Sequence, residues 1–171
     1  MEVKEVQTEM EERKQTGFGV KIADDEKPRK QLSFDEIKVG DEIPPLTRYI
    51  TLEMGIKHGK IYGDFYSGHV DIEASRTQFG VPTMPVQGAF TQGGFTPFMV
   101  NWLRSAKPWI CGGKCDVRFI MAVTSGMTLL YRGKVIEKKV EGNKKYVICD
   151  VWAENEKGEK VAVGTTTACF E

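Results

Sequence analysis

The 171-residue sequence contains two histidines. One of them, His69, follows Asp64 by five residues in Gly63-Asp64-Phe65-Tyr66-Ser67-Gly68-His69-Val70-Asp71. A carboxylate and an imidazole in a glycine-bearing loop can converge on one reacting centre, where one takes a proton and the other gives one. The same residues also read without chemistry: Asp64 ends a helix, His69 is a polar turn residue and Asp71 caps the next helix. Further along, Gln87-Gly88 opens an apolar segment. A backbone N–H at Gly88, near a helix start, is an unpaired donor in a favourable dipole. Glycine there equally serves close helix packing. The other histidine, His58, lies among cations in Lys57-His58-Gly59-Lys60 and reads as a solvated helix end. Lys57, Lys60 and Arg76 have the charge to meet phosphates, although such residues on short helices usually form a wet face.

These residues need elements to hold them. From Leu32 the composition turns apolar, so residues 1–31 read as a charged extension and 32–171 as the domain. Val3, Val6 and Met10 sit at helical spacing and suit a short docking helix. Ser33 starts a capped turn, Arg48-Tyr49-Ile50 is short and extended, and Thr51 caps a helix over 52–59. Asp71 caps a second helix over 72–79, ended by Gly80 with Pro82 beyond. Residues 85–105 are apolar on most sides, which predicts a long buried helix loosened by Gly93, Gly94 and Pro97. The rest reads as strand, at 114–123, 127–138, 144–153 and 160–170, separated by turn sequences. Val117, Phe119, Met121 and Val123 alternate along one strand face, and Val147, Cys149, Val151 and Ala153 along another. An antiparallel sheet wrapped around the long helix, an α+β arrangement, accounts for this order.

Composition narrows the function classes. Lys plus Arg total 24 and Asp plus Glu total 24, so no general attraction to nucleic acid or an anionic membrane follows. No twenty-residue apolar run or secretory h-region appears, which predicts no membrane association and a cytoplasmic location. Cys111, Cys115, Cys149 and Cys169 sit in strand-like sequence and read as reduced, partly buried thiols; with two histidines in the chain, no metal site is expected. Trp102, Trp109, Phe95 and Phe98 read as core before they read as an acyl tunnel. P-loop, Rossmann and nucleophile-elbow patterns are absent from the sequence.

Gly63-Asp64-x-x-x-x-His69-x-Asp71, followed by Ala74 and Phe79-Gly80, resembles the signature of MaoC-like dehydratases and (R)-specific enoyl-CoA hydratases. Phe34-x-x-Ile37-x-Val39-Gly40-Asp41 resembles that family's opening segment. Gln87-Gly88 falls at its His-Gly pair and Arg118-Phe119 at its Arg-Phe, so the similarity covers residues 32–171. The resemblance implies a hot-dog fold, with Asp64 and His69 as the catalytic pair adding or removing water across the double bond of an enoyl thioester. It also implies Gly88 as the donor to the thioester carbonyl. Coenzyme A enters as part of the acyl-CoA substrate, and no separate cofactor is implied. Tyr66 and Ser67 replace the family's Asn and Pro, Gln87 its His, Ala122 a Pro and Met127 an Asp. Either Tyr66 or Gln87 therefore holds the water, or the water is held poorly.

A non-catalytic acyl-CoA or acyl-chain binding module, or a subunit completing a partner's site, is the alternative. A thioesterase is the third, but residues 85–105 contain no acidic side chain to serve it. About five strands, one short, do not close into a barrel and leave open edges. Single hot-dog domains pair through such an edge, which predicts a homodimer or a multiple of it.

Overall fold

The computed structural model describes residues 30–171, so the docking helix expected around Val3, Val6 and Met10 lies outside the described residues. Five strands form one antiparallel sheet: β1 (Glu42–Tyr49), β2 (Lys114–Phe119), β3 (Thr128–Glu141), β4 (Lys144–Glu154) and β5 (Lys160–Phe170). Their spatial order is β1-β3-β4-β5-β2, so among the described residues β1 and β2 are the edges. The architecture is α+β, a hot-dog: the sheet packs its inner face on the central helical segment.

Alternation along β4 decides which face is inner. Val147, Cys149, Val151 and Ala153 are completely buried, whereas Asp150 between them is exposed. The corresponding expectation for residues 114–123 holds only in part. β2 stops at Phe119, and Ile120 and Met121 both donate to the Val161 carbonyl, so the ladder is bulged where the chain curls away. Phe119 is consequently exposed and does not line a core face. At the opposite edge, β1 is longer than the short segment expected at Arg48-Tyr49-Ile50. Pro44 and Pro45 resemble breakers in sequence, yet an edge strand tolerates them, and the register shifts between Ile43 and Leu46.

The apolar segment forms two helices instead of one, α4 (Gly88–Gly93) and α5 (Phe95–Leu103). Tyr131 of β3 causes the interruption: its buried hydroxyl donates to the Thr91 carbonyl at 3.0 Å. It occupies the space beside Gly94, where a Cβ would come within 2.1 Å of the phenol oxygen. Pro97 falls in the first turn of α5, where its missing N–H costs little. Phe95, Phe98, Met99 and Leu103 are buried to 1% exposure or less, and Trp102 is buried beside them. The core reading of these aromatic residues is therefore correct. A further short helix, α6 (Lys107–Ile110), leads into β2.

Three helices between β1 and the central segment build the corner that carries the loop: α1 (Leu52–Tyr62), α2 (Ser67–Val70) and α3 (Ile72–Phe79). Thr51 caps α1 by accepting from the Met54 N–H, and Asp71 caps α3 by accepting from the Ala74 N–H at 2.7 Å, both as expected. α1 runs one turn beyond Gly59, and a helical turn occupies what reads as loop before Asp71. Among the described residues no helix is long and apolar enough to cross a membrane.

Candidate functional site

Asp64 is placed by the end of α1. Gly63 takes the left-handed conformation, and the N–H groups of Gly63 and Asp64 both donate to the Gly59 carbonyl, which turns the half-buried Asp64 away from the helix axis. Its Oδ1 accepts a long bond, 3.4 Å, from the Tyr66 N–H. A lone long contact of this kind leaves most of the carboxylate's accepting capacity unused.

His69 is held from a different direction. Its Nδ1 lies 2.9 Å from the Pro85 carbonyl oxygen. A carbonyl only accepts, so Nδ1 carries the proton, and in the neutral ring the lone pair resides on Nε2. The ring stacks on Phe79, with centroids 5.7 Å apart, and meets the edge of Tyr66 at 5.8 Å. The α2–α3 corner beneath it is tied by Ser75, whose buried hydroxyl lies within hydrogen-bond reach of the Gly68 and Asp71 carbonyls. No hydrogen bond joins Asp64 to His69 among the described residues: five residues apart in sequence, each is positioned by its own partners.

Pro85 also links His69 to the start of the central segment. It bridges Thr124, the next residue Val86 donates to the Val123 carbonyl, and Gln87 and Gly88 follow at once. Gly88 is the first residue of α4, and its N–H has no partner among the described residues. Phe119 lies against it, since a Cβ on Gly88 would come within 2.8 Å of the ring. Close packing is thus what this glycine visibly serves in the single chain.

Gln87 is 3% exposed, and its Oε1 is buried without a partner among the described residues. The amide lies over α1 at Gly59, where an added Cβ would come within 2.9 Å of Gln87 Nε2 and 2.8 Å of the Asp64 carbonyl oxygen. Gly59 is what lets the amide and the Asp64 backbone share this space. Tyr66, the other residue expected to hold water, is 52% exposed and turns its ring to His69 and Phe79.

His58 is not the solvated helix end that its cationic neighbours suggested. It is half-buried, its ring stacks on Tyr62 at 4.4 Å and meets the edge of Phe90 at 5.6 Å, and its Nδ1 is buried without a partner among the described residues. Burial pushes the imidazole below the usual histidine range; the Gln87 side chain and the Asp64 charge pull it up, and Arg48 pushes it down. Arg48 itself lies over the Phe90 ring, 4.3 Å from its centroid. The sequence signal that was available is the i, i+4 placement of His58 and Tyr62 on one face of α1.

Other candidates separate from this cluster. Lys57 pairs with Glu53 at 2.9 Å and Arg76 approaches Glu73 at 3.7 Å, all on exposed helix surface. Cys149 and Cys169 are buried, Cys115 is half-buried and Cys111 exposed; burial pushes the Cys149 thiol up to about 12. A cavity of about 420 Å³ between β1 and α5, lined by Asp41, Pro44, Leu46, Phe98 and Arg104 among others, shares no residue with the candidate site. Around the site the apolar side chains are instead open: Ile61, Tyr62, Phe65, Val70, Ile72 and Phe119 are all exposed.

No protein-family model matches the sequence, and no curated protein matches it. Solved structures do share the fold. A monoamine oxidase regulatory protein from Archaeoglobus fulgidus superposes with a TM-score of 0.71 at 24% identity, over 84% of this chain and 96% of that one. The MaoC-like dehydratase from Rhodospirillum rubrum gives 0.65 at 20% identity, over 81% of this chain and 95% of that one. An (R)-hydratase from A. caviae involved in PHA biosynthesis gives 0.63 at 15% identity, over 77% and 95%. The chain therefore has the hot-dog fold found in MaoC-like dehydratases and (R)-hydratases.

Proposed function

We propose that the protein adds water across the double bond of an enoyl-CoA thioester, or removes it from the 3-hydroxyacyl thioester, with Asp64 and His69 as the acid–base pair. The observation that carries this reading is the fixed imidazole of His69. Its Nδ1–H is committed to the Pro85 carbonyl, so Nε2 is the nitrogen left to exchange a proton, five residues along the chain from an under-used carboxylate. In the hydration direction, ionised Asp64 takes one proton from water while the water oxygen bonds to C3. The π pair moves toward C2, which receives a proton from Nε2 of protonated His69. Asp64 ends protonated and His69 neutral, and exchange with solvent restores the starting forms. Dehydration runs the same steps backward.

Negative charge gathers on the thioester oxygen between these events, and the unpartnered Gly88 N–H is the proposed donor to it. Gln87 is a better water-positioning group than Tyr66, because its carboxamide is buried near the Asp64 backbone carbonyl whereas the Tyr66 ring is engaged with His69 and Phe79. The substrate supplies coenzyme A, and no further cofactor enters these steps.

The reading includes a homodimer or a multiple of it. The sheet ends in an open edge at β2, and the exposed apolar residues of α1 to α3 and Phe119 border the candidate site. A second copy across that edge would cover them and enclose the acyl chain.

An assay of crotonyl-CoA and longer enoyl-CoA thioesters, following loss of the conjugated absorbance, tests the reaction. The wild type should consume at least one of them, and Asp64→Asn should lower the rate by about 100-fold or more with an unchanged unfolding transition. Equal activity in the variant would sink the mechanism. Thioesters bound but unaltered would identify a binding module, and release of free thiol a thioesterase.

A further inference from the structure

Two buried polar atoms lack partners among the described residues, Nδ1 of His58 and Oε1 of Gln87, and the Gln87 side chain is among the groups that act on the His58 ring. Leaving either atom unpaired costs about 1–3 kcal/mol, so two such atoms on neighbouring side chains call for an arrangement that satisfies both. One assignment does. If Nδ1 of His58 carries a proton, a small side-chain rotation lets it donate to Oε1 of Gln87, because an imidazole N–H and a carboxamide oxygen complement each other. The reverse assignment, a bare Nδ1 accepting from Gln87 Nε2, would leave Oε1 orphaned. It would also draw Nε2 away from the place it occupies over Gly59 beside the Asp64 carbonyl.

We propose that His58 is a positioning residue of the candidate site: its Nδ1–H holds the Gln87 oxygen, and the amide is thereby fixed with its Nε2–H donors beside Asp64. This rests on the hydration reading above and deepens it by naming what orients the water-positioning amide. The arrangement joins two elements: His58 comes from α1 and Asp64 follows its end, while Gln87 is the residue that precedes α4. The charged groups that act on the His58 ring are Asp64 and, from β1, Arg48; Tyr62 and Phe90 pack on its faces. Burial favours the neutral ring, and the neutral Nδ1–H form is the one the amide requires. Because Gln87 immediately precedes Gly88, the same contact also fixes the backbone that presents the Gly88 N–H.

The chain has two histidines, so ring-nitrogen spectra of the full-length ¹⁵N-labelled protein resolve both, and a single variant assigns them. In the wild type, His58 should show a protonated Nδ1 and a bare Nε2. In Gln87→Leu it should shift to the Nε2–H form favoured by solvated histidine, while His69 keeps its Nδ1–H on the Pro85 carbonyl. An unchanged His58 signature in Gln87→Leu would overturn the contact whether or not the protein turns over thioesters. Turnover then tests the consequence. His58→Leu should lower kcat by about tenfold, the loss of one neutral hydrogen bond, with KM changed little. His58→Asn, whose amide N–H stands in for Nδ1–H, should recover most of that loss. Equal kcat in wild type and His58→Leu would refute the positioning role. If the wild type itself hydrates no enoyl thioester, the hydration reading fails while the spectra still decide the His58–Gln87 contact.

Discussion

The sheet with its central helices and the α1–α3 corner obey different rules. In the first, the chain satisfies itself: β4 alternates cleanly, Phe95, Phe98, Met99 and Leu103 are enclosed, and the buried hydroxyl of Tyr131 is bonded to Thr91. In the corner, apolar side chains such as Ile61, Tyr62 and Phe65 face outward. Self-sufficiency marks the part that holds the fold, and uncovered apolar surface is what sets the corner apart from it.

Substitutions sharpen that contrast. Phe98 is 1% exposed, so Phe98→Ala should destabilise by about 3–5 kcal/mol, read by chemical denaturation. A destabilisation much below that would mean the central helices are not the true core. Gly59→Ala strikes the corner, where the new methyl meets the Gln87 amide and the Asp64 carbonyl. It should cost about 1–3 kcal/mol through overpacking, and turnover should fall in the fraction that remains folded. Smaller still is the effect of Ile61→Lys with Phe65→Lys, since both side chains are exposed in the single chain. Unfolding of the isolated subunit should change by no more than about 0.5 kcal/mol at either position, whereas sedimentation should shift toward monomer. A wild type that sediments as a fully active monomer would contradict the dimer reading outright.

The weakest effect concerns pH. Burial holds His58 below its ordinary value of 6.5, so the folded state prefers the neutral ring. The unfolded chain then binds the proton first as pH falls. Stability from this group is present above 6.5 and is lost as pH drops from there through the lower folded value. His58→Phe should flatten that part of the stability profile, and an identical slope in the variant would mean that the ring is solvated.

How much of this was legible in the sequence follows the same division. The strand faces and the caps at Thr51 and Asp71 were readable, because period-two alternation and local side-chain capping depend on neighbours in sequence. The break at Gly94 was signalled by its glycines, but its cause, the Tyr131 hydroxyl, comes from a distant strand. β1 was underestimated because Pro44-Pro45 look like an end when they lie on an edge, and β2 was overestimated because its alternation continues past the bulge at Ile120. For the candidate site, spacing and resemblance single out Asp64, His69 and the Gln87-Gly88 pair, and their roles belong to the proposed function. His58 was misread, since its burial depends on Gln87 and Phe90 arriving from another helical segment.

The central claim, water addition at the Asp64–His69 loop, is tested most directly by turning over crotonyl-CoA in deuterium oxide and weighing the product by mass spectrometry. The account predicts a 3-hydroxyacyl-CoA with one non-exchangeable deuterium at C2, formed by the wild type and nearly absent with Asp64→Asn. Unchanged thioester, or free thiol with the double bond intact, would contradict it.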